Sequence, residues 1–199
     1  LHCAAAAHAL EALPLNCARR GARDLALADV RARLAGDGLG AAQVGPNRHP
    51  RVSTSLGIAS GPAMLEEARR AVDAGVHVLK VKVGRNERDD DQVLSALATE
   101  FGDSVTIYVD ANEAWTAEQA PGRLEGLAGH GVAYVEEPLP ITALKARAAL
   151  RSYEILPLIA DDSCFRPADL ERELEANTFD ILNVKPARSG WSESLTMVK

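Results

Sequence analysis

Two lysines separated by one valine, Lys80 and Lys82 in Leu79-Lys80-Val81-Lys82-Val83, stand inside an aliphatic run, and a third, Lys185, closes the run Ile181-Leu182-Asn183-Val184-Lys185. Between them three apolar runs each end in acid: Ile107-Tyr108-Val109-Asp110, Ala133-Tyr134-Val135-Glu136 and Leu158-Ile159-Ala160-Asp161. Three carboxylates in one pocket repel one another unless a cation neutralises them. All-oxygen ligation of this kind suits Mg²⁺, with Mn²⁺ as the alternative. A lysine acts as a base only if its pKa is lowered, and a second ammonium two residues away, a nearby metal and partial burial all push in that direction. The chemistry this set could perform is removal of a proton from carbon next to a carboxylate, the resulting enediolate being stabilised by the metal as a Lewis acid. The partner is then a small-molecule carboxylate.

Such a set works only if the backbone brings it together. From Val52 onward the chain repeats a short β-rich apolar run, a polar or Gly/Pro turn, and a stretch of helical periodicity, the pattern of parallel βα units. Strands are expected over 52–59, 78–83, 105–110, 132–136, 157–161 and 181–185. Pro62 suits the first turn of a helix, Gly75 suits a left-handed cap at its end, Thr116 with Gln119 reads as a capping box, and Pro167 opens a helix holding Leu170 and Leu174. If the Thr116 helix begins at that box, Pro121 falls inside it and should kink it. Alternation along the second strand puts Lys80 and Lys82 on one face and Leu79, Val81 and Val83 on the other. Parity alone leaves Glu136 against Glu137, and Asp161 against Asp162, open.

Six βα units could form an open doubly wound sheet or most of a (β/α)8 barrel. The first strand lacks the glycine-rich phosphate turn of an open dinucleotide-binding sheet, and charges at the ends of successive strands suit a barrel, whose chemistry sits at the C-terminal strand ends. The expected fold is α/β, a partial TIM barrel, in which strands two and six would oppose each other. Residues 1–50 differ. Cys3 to Leu13 and Ala22 to Leu34 have helical spacing and lead into a linker with Gly36, Gly38, Gly40 and Pro46. The expected organisation is therefore helices of a preceding element over 1–50 and the partial barrel over 51–199.

The 199 residues are 47% hydrophobic with a net charge of −6, ordinary for a packed core. With only 4% aromatics and no basic run, the chain carries no footprint for nucleic acid or an anionic membrane. It has no apolar segment of membrane-spanning length and no leader pattern, so cytoplasm is the expected compartment. Cys3, Cys17 and Cys164 are scattered and read as reduced thiols. The five histidines show no ligand spacing. Trp115 and Trp191 read as packing residues, while Arg188 is equally a substrate contact or a loop charge. The first residue is Leu1, and the last residues, ending at Lys199, have helical spacing, which reads as a fragment.

In order along the chain, Lys80-Val81-Lys82, Asp110-Ala111-Asn112, Glu136-Glu137-Pro138, Asp161-Asp162-Ser163 and Asn183-Val184-Lys185-Pro186 resemble the enolase superfamily in its muconate-lactonizing branch. The resemblance runs over roughly 22–199, with Ala22 to Leu34 similar to the helix leading from that family's capping domain into its barrel. It implies Asp110, Glu136 and Asp161 as Mg²⁺ ligands and Lys82 and Lys185 as acid/base groups. Lys80 becomes a charge neighbour near the substrate carboxylate, and Asn112, Glu137, Asp162 and Asn183 become supporting or loop groups. The implied activity is a muconate cycloisomerase-like isomerase, racemase or epimerase, and the full-length parent would be a homo-oligomer. An o-succinylbenzoate synthase-like lyase and a truncated noncatalytic remnant are the alternatives, since the rest of the capping domain and two more barrel strands are missing from the chain.

Overall fold

The computed structural model describes residues 17–39 and 50–199. The expected helix over Cys3 to Leu13, together with Gly40 and Pro46, lies outside them. In chain order the elements are α1 (Cys17–Leu34), β1 (Ser53–Ser55), α2 (Gly61–Asp73), β2 (Val78–Lys82), α3 (Glu87–Phe101), β3 (Thr106–Asp110), α4 (Ala120–Gly129), β4 (Tyr134–Glu136), α5 (Leu144–Arg151), β5 (Leu158–Ala160), α6 (Pro167–Ala176), β6 (Ile181–Leu182), α7 (Pro186–Ser189) and α8 (Trp191–Met197). All six strands are parallel and lie side by side in chain order.

That order follows from the alternation of the sequence. One strand face supplies Leu79, Val81, Ile107, Val109 and Val135, all buried, and the helices cover it with Met64, Ala68, Leu94, Leu97, Leu124 and Leu127. Because successive side chains point to opposite faces, burying these residues turns Lys80, Lys82, Tyr108, Asp110, Tyr134 and Glu136 the other way. Trp115 is buried in the same core.

Three boundaries differ most from expectation, each for a local reason. β1 is short because the Gly57 N–H donates to Glu67 Oε2 (2.9 Å) instead of extending the ladder. The capping box does form, with Thr116 N–H on Gln119 Oε1 at 3.1 Å and Gln119 N–H on Thr116 Oγ1 at 3.4 Å. It closes a turn, however, and α4 starts only at Ala120, so Pro121 occupies the first turn, where its missing N–H is harmless and no kink is required. β6 stops at Leu182, and the Lys185 carbonyl accepts from Arg188 and Ser189 N–H to start α7. Lys185 therefore caps a short helix rather than ending a strand.

The described residues divide into two compact units, one of residues 17–39, 164–172 and 183–199, the other of residues 50–163 and 173–182. In the first, Asp24 of α1 accepts from the N–H of Ser192 at 2.7 Å and from its hydroxyl at 2.9 Å, Arg20 pairs with Glu193 at 3.1 Å, and Arg188 lies over the Phe165 ring. The second holds the sheet and its helical cover.

Candidate active site

Strand register aligns the charges within the second unit. Lys82 pairs with Asp110, and Asp110 with Glu136, so three neighbouring strands end in one row of base, acid, acid. Glu136 in turn pairs with Ile159, which puts Asp161, two residues on, on the same face of the sheet one step further out. Lys80 lies a step below Lys82, and its ammonium reaches up between the carboxylates, 2.8 Å from Asp110 Oδ2 and 2.7 Å from Glu136 Oε2. These acids are deeply buried, at 3% exposure for Asp110, 1% for Glu136 and 5% for Asp161.

The electrostatics of the row follow from burial. Desolvation is the main cause that pushes the Glu136 carboxyl up to about 7; the neighbouring Asp161 adds to it, and the Lys80 ammonium opposes it. For Lys80 burial alone would favour the neutral amine, but its hydrogen bonds to Asp110 and Glu136 and their charges outweigh burial and raise its pKa above the usual lysine value. Lys80 is thus a fixed cation here, held by the two carboxylates. Lys82 is exposed and donates to Asn112 Oδ1 at 2.8 Å. Asn112 sits at φ +46°, with its N–H on Asp110 Oδ1 at 3.0 Å, so one loop residue ties the base of β2 to the acid of β3.

Glu137 does more than fill a loop. Its Oε1 accepts from Asp161 N–H (2.7 Å), Ser163 N–H (2.9 Å) and Ser163 Oγ (2.6 Å), and its Oε2 faces Arg147 Nη2 at 3.4 Å. Asp162 is half-buried in the same loop. Asn183 and Lys185 follow β6 and belong to the first unit. One unit therefore gathers Lys80, Lys82, Asp110, Asn112, Glu136, Glu137 and Asp161. Beside Lys82 a cavity of about 220 Å³ is lined by Ile58, Gly84, Arg85, Asn112 and Ala114 among others.

The donor set suits a hard cation: its atoms are all oxygen, and Glu136 Oε1 is buried without a hydrogen-bond partner. Among the described residues, no group of three His, Cys, Asp or Glu side chains is arranged to hold a metal ion as it stands. The expected common centre is replaced by the Lys80 ammonium, which draws two of the carboxylates to itself.

Sequence reading missed Arg147 and Glu173, 3% and 0% exposed. The available signal was periodicity, since Arg147 lies three residues before Leu150 and Glu173 three after Leu170, on helix faces turned to the core. Arg85 carried no pattern that would separate it from an ordinary loop charge.

Parallel strands in chain order with charged residues at their C-terminal ends define an enzyme domain of the (β/α)-barrel type. The chain belongs to the family described as Enolase C-terminal domain-like, matched over residues 63–199. An L-Ala-D/L-Glu epimerase of Escherichia coli (strain K12) is 34% identical over 181 residues, 89% of this chain and 53% of that protein. A crystal structure of muconate lactonizing enzyme from Mucobacterium Smegmatis complexed with muconolactone superposes with a TM-score of 0.87 at 29% identity, over 95% of this chain and 52% of that one. A dipeptide epimerase from Cytophaga hutchinsonii, complexed with Mg and dipeptide D-Ala-L-Val, gives 0.85 at 26% identity, over 92% and 51%. These relatives are isomerases. The chain spans about half the length of the curated relatives it matches.

Proposed function

We propose that the whole protein is a Mg²⁺-dependent isomerase that removes the proton α to a carboxylate or its amide on one face and delivers another proton to the opposite face, with a dipeptide as the substrate class. What supports this is the row Lys82, Asp110, Glu136, with a cation already held between two buried carboxylates. Dipeptide substrates come into the reading from the relatives named as epimerases.

Asp110, Glu136 and Asp161 would hold the metal, and Glu136, with its raised proton affinity and unpartnered Oε1, has the most to gain from it. When bound, Mg²⁺ supplies positive charge that stabilises the anion developing on the substrate. Lys82 is the base that takes the α-proton; its hydrogen bond to Asn112 fixes the amine at the mouth of the row, beside the cavity. Lys80 keeps its proton and serves as a permanent countercharge. Lys185 is the second acid/base group, donating the proton that completes inversion. Residues 1–50 are the end of a capping domain and 51–199 the catalytic domain, in a protein of the cytoplasm. No helix among the described residues is long and apolar enough to cross a membrane.

Exchange of the α-proton with solvent deuterium, followed over a panel of dipeptides, tests the assignment. Lys82→Ala is expected to lower exchange by about 10²–10⁴-fold while Mg²⁺ still binds, and Asp110→Asn to weaken Mg²⁺ itself. Near wild-type exchange in Lys82→Ala removes that residue from its role. A product differing in mass from the substrate points instead to elimination, as in a synthase-like lyase.

A further inference from the structure

The strand ladder stops before it reaches Asp161. The Glu137 N–H still donates to the Ile159 carbonyl at 3.1 Å, but β5 ends at Ala160, and Asp161 stands one residue beyond it. The Glu137 side chain takes over where the ladder ends. A single carboxylate oxygen receives the N–H groups of Asp161 and Ser163 and the Ser163 hydroxyl, all three buried and all within 2.9 Å. Glu137 reaches this position from a left-handed backbone, φ +40°, a conformation unfavourable for a residue with a Cβ.

Behind the clamp lies a chain of buried charge. Arg147 on α5 sits between Glu137 Oε2 at 3.4 Å and Glu173 Oε2 at 2.9 Å, and Glu173 on α6 accepts from Thr178 Oγ1 at 2.5 Å. Their side chains are 3% exposed for Glu137, 4% for Arg147 and 0% for Glu173. The helices that precede and follow β5 thus both anchor the group that holds the tip of that strand. Buried ionic triads of this kind are a poor source of stability, because desolvation offsets most of their attraction. Their use here lies in what the end of the chain of charges grips.

We infer that Glu137, backed by Arg147 and Glu173, is a positioning residue that sets the Asp161 carboxylate in place to complete the oxygen-donor site. This role rests on the metal reading above. Glu137 need not touch metal or substrate, since it acts through the backbone of the 161–163 loop. Outer partners that orient ligands in this way are typically worth about 10–100-fold in metal affinity.

The test combines Mg²⁺ titration calorimetry on the 199-residue chain with amide exchange measured residue by residue. Glu137→Ala should weaken Mg²⁺ at least tenfold and speed exchange at the Asp161 and Ser163 amides. Glu137→Gln, which keeps an acceptor oxygen, should fall between that variant and wild type. Ser163→Ala removes one of the donors and leaves the Arg147 pair intact, so it supplies a folded variant if Glu137→Ala does not fold; it should loosen the Asp161 amide and weaken Mg²⁺ by a smaller factor. Unchanged Mg²⁺ affinity in these variants, whatever happens to their melting temperature, overturns the positioning role and leaves the metal reading standing. Failure of the wild type to bind Mg²⁺ overturns the metal reading itself, and this role with it.

Discussion

Glu136 shows how one residue registers the whole site. Its carboxyl is 1% exposed, hydrogen-bonded by Lys80 and crowded by two further acids, and its pKa rises from the ordinary 4.5 to about 7. A group bound to its proton more tightly in the folded than in the unfolded chain favours folding most at low pH. That contribution is complete below about 4.5 and is lost as pH rises through about 7. In the absence of metal, the melting temperature of the wild type relative to Glu136→Gln should therefore fall between about pH 5 and pH 8. A constant difference across that range, read by calorimetry in chelator, would refute the assignment. The residue types in this row were legible beforehand: Lys82, Asp110 and Glu136 sit where alternation within an aliphatic run turns polar groups away from the core. The pairing of Lys80 with Asp110 and Glu136 was not, because neighbouring strands alone do not say which ammonium reaches between which carboxylates.

At the scale of elements, the turn after β2 decides whether Lys82 stands at the mouth. Gly84 has φ +98°, and a Cβ placed there would lie 2.5 Å from the Ala114 Cβ, against the loop that follows Asp110. Its N–H donates to Asp90 Oδ2 at 2.8 Å, which ties the turn to the first turn of α3. Gly75, at φ +87°, ends α2 with open space around it. Both glycines meet the backbone penalty on substitution, about 1–2 kcal/mol, but only Gly84 adds overpacking of about 1–3 kcal/mol. Thermal melts should show Gly84→Ala destabilised roughly twice as much as Gly75→Ala, and equal losses would mean that the close approach is relieved cheaply. Helix signals in the sequence were sound where they were local, as at Pro62 and Gly75, whereas the Thr116–Gln119 box formed but closed a turn ahead of the helix. They misplaced boundaries where hydrogen-bond donors had a choice of partner, as at Gly57, or where a helix competed for a strand's last carbonyl, as at Lys185.

For the whole molecule, the relevant question is whether the sheet-bearing unit responds to a cation. A metal that binds only the folded chain stabilises it by about 2.7 kcal/mol at a hundred times its Kd. Scanning calorimetry with and without Mg²⁺ should show a cooperative transition that shifts upward with metal, and no shift in Asp110→Asn. Absence of both cooperativity and a metal-dependent shift in the wild type would favour the noncatalytic remnant. β1 and β6 are the outer strands of the sheet and are only three and two residues long, which limits the edge available for pairing with another chain.

The βα repeat, the parallel sheet and the row of charged strand ends were readable from the order of residues, because hydrophobic alternation is a local code that sets which side chains face the core. The sequence also carried the motif order that marks the family. Folding was needed to clamp Lys80 between two carboxylates and to close Glu137 on the Asp161 loop with Arg147 and Glu173 behind it. Those contacts join residues from different strands and helices, and their energies depend on burial and distance, which exist only once the chain has folded.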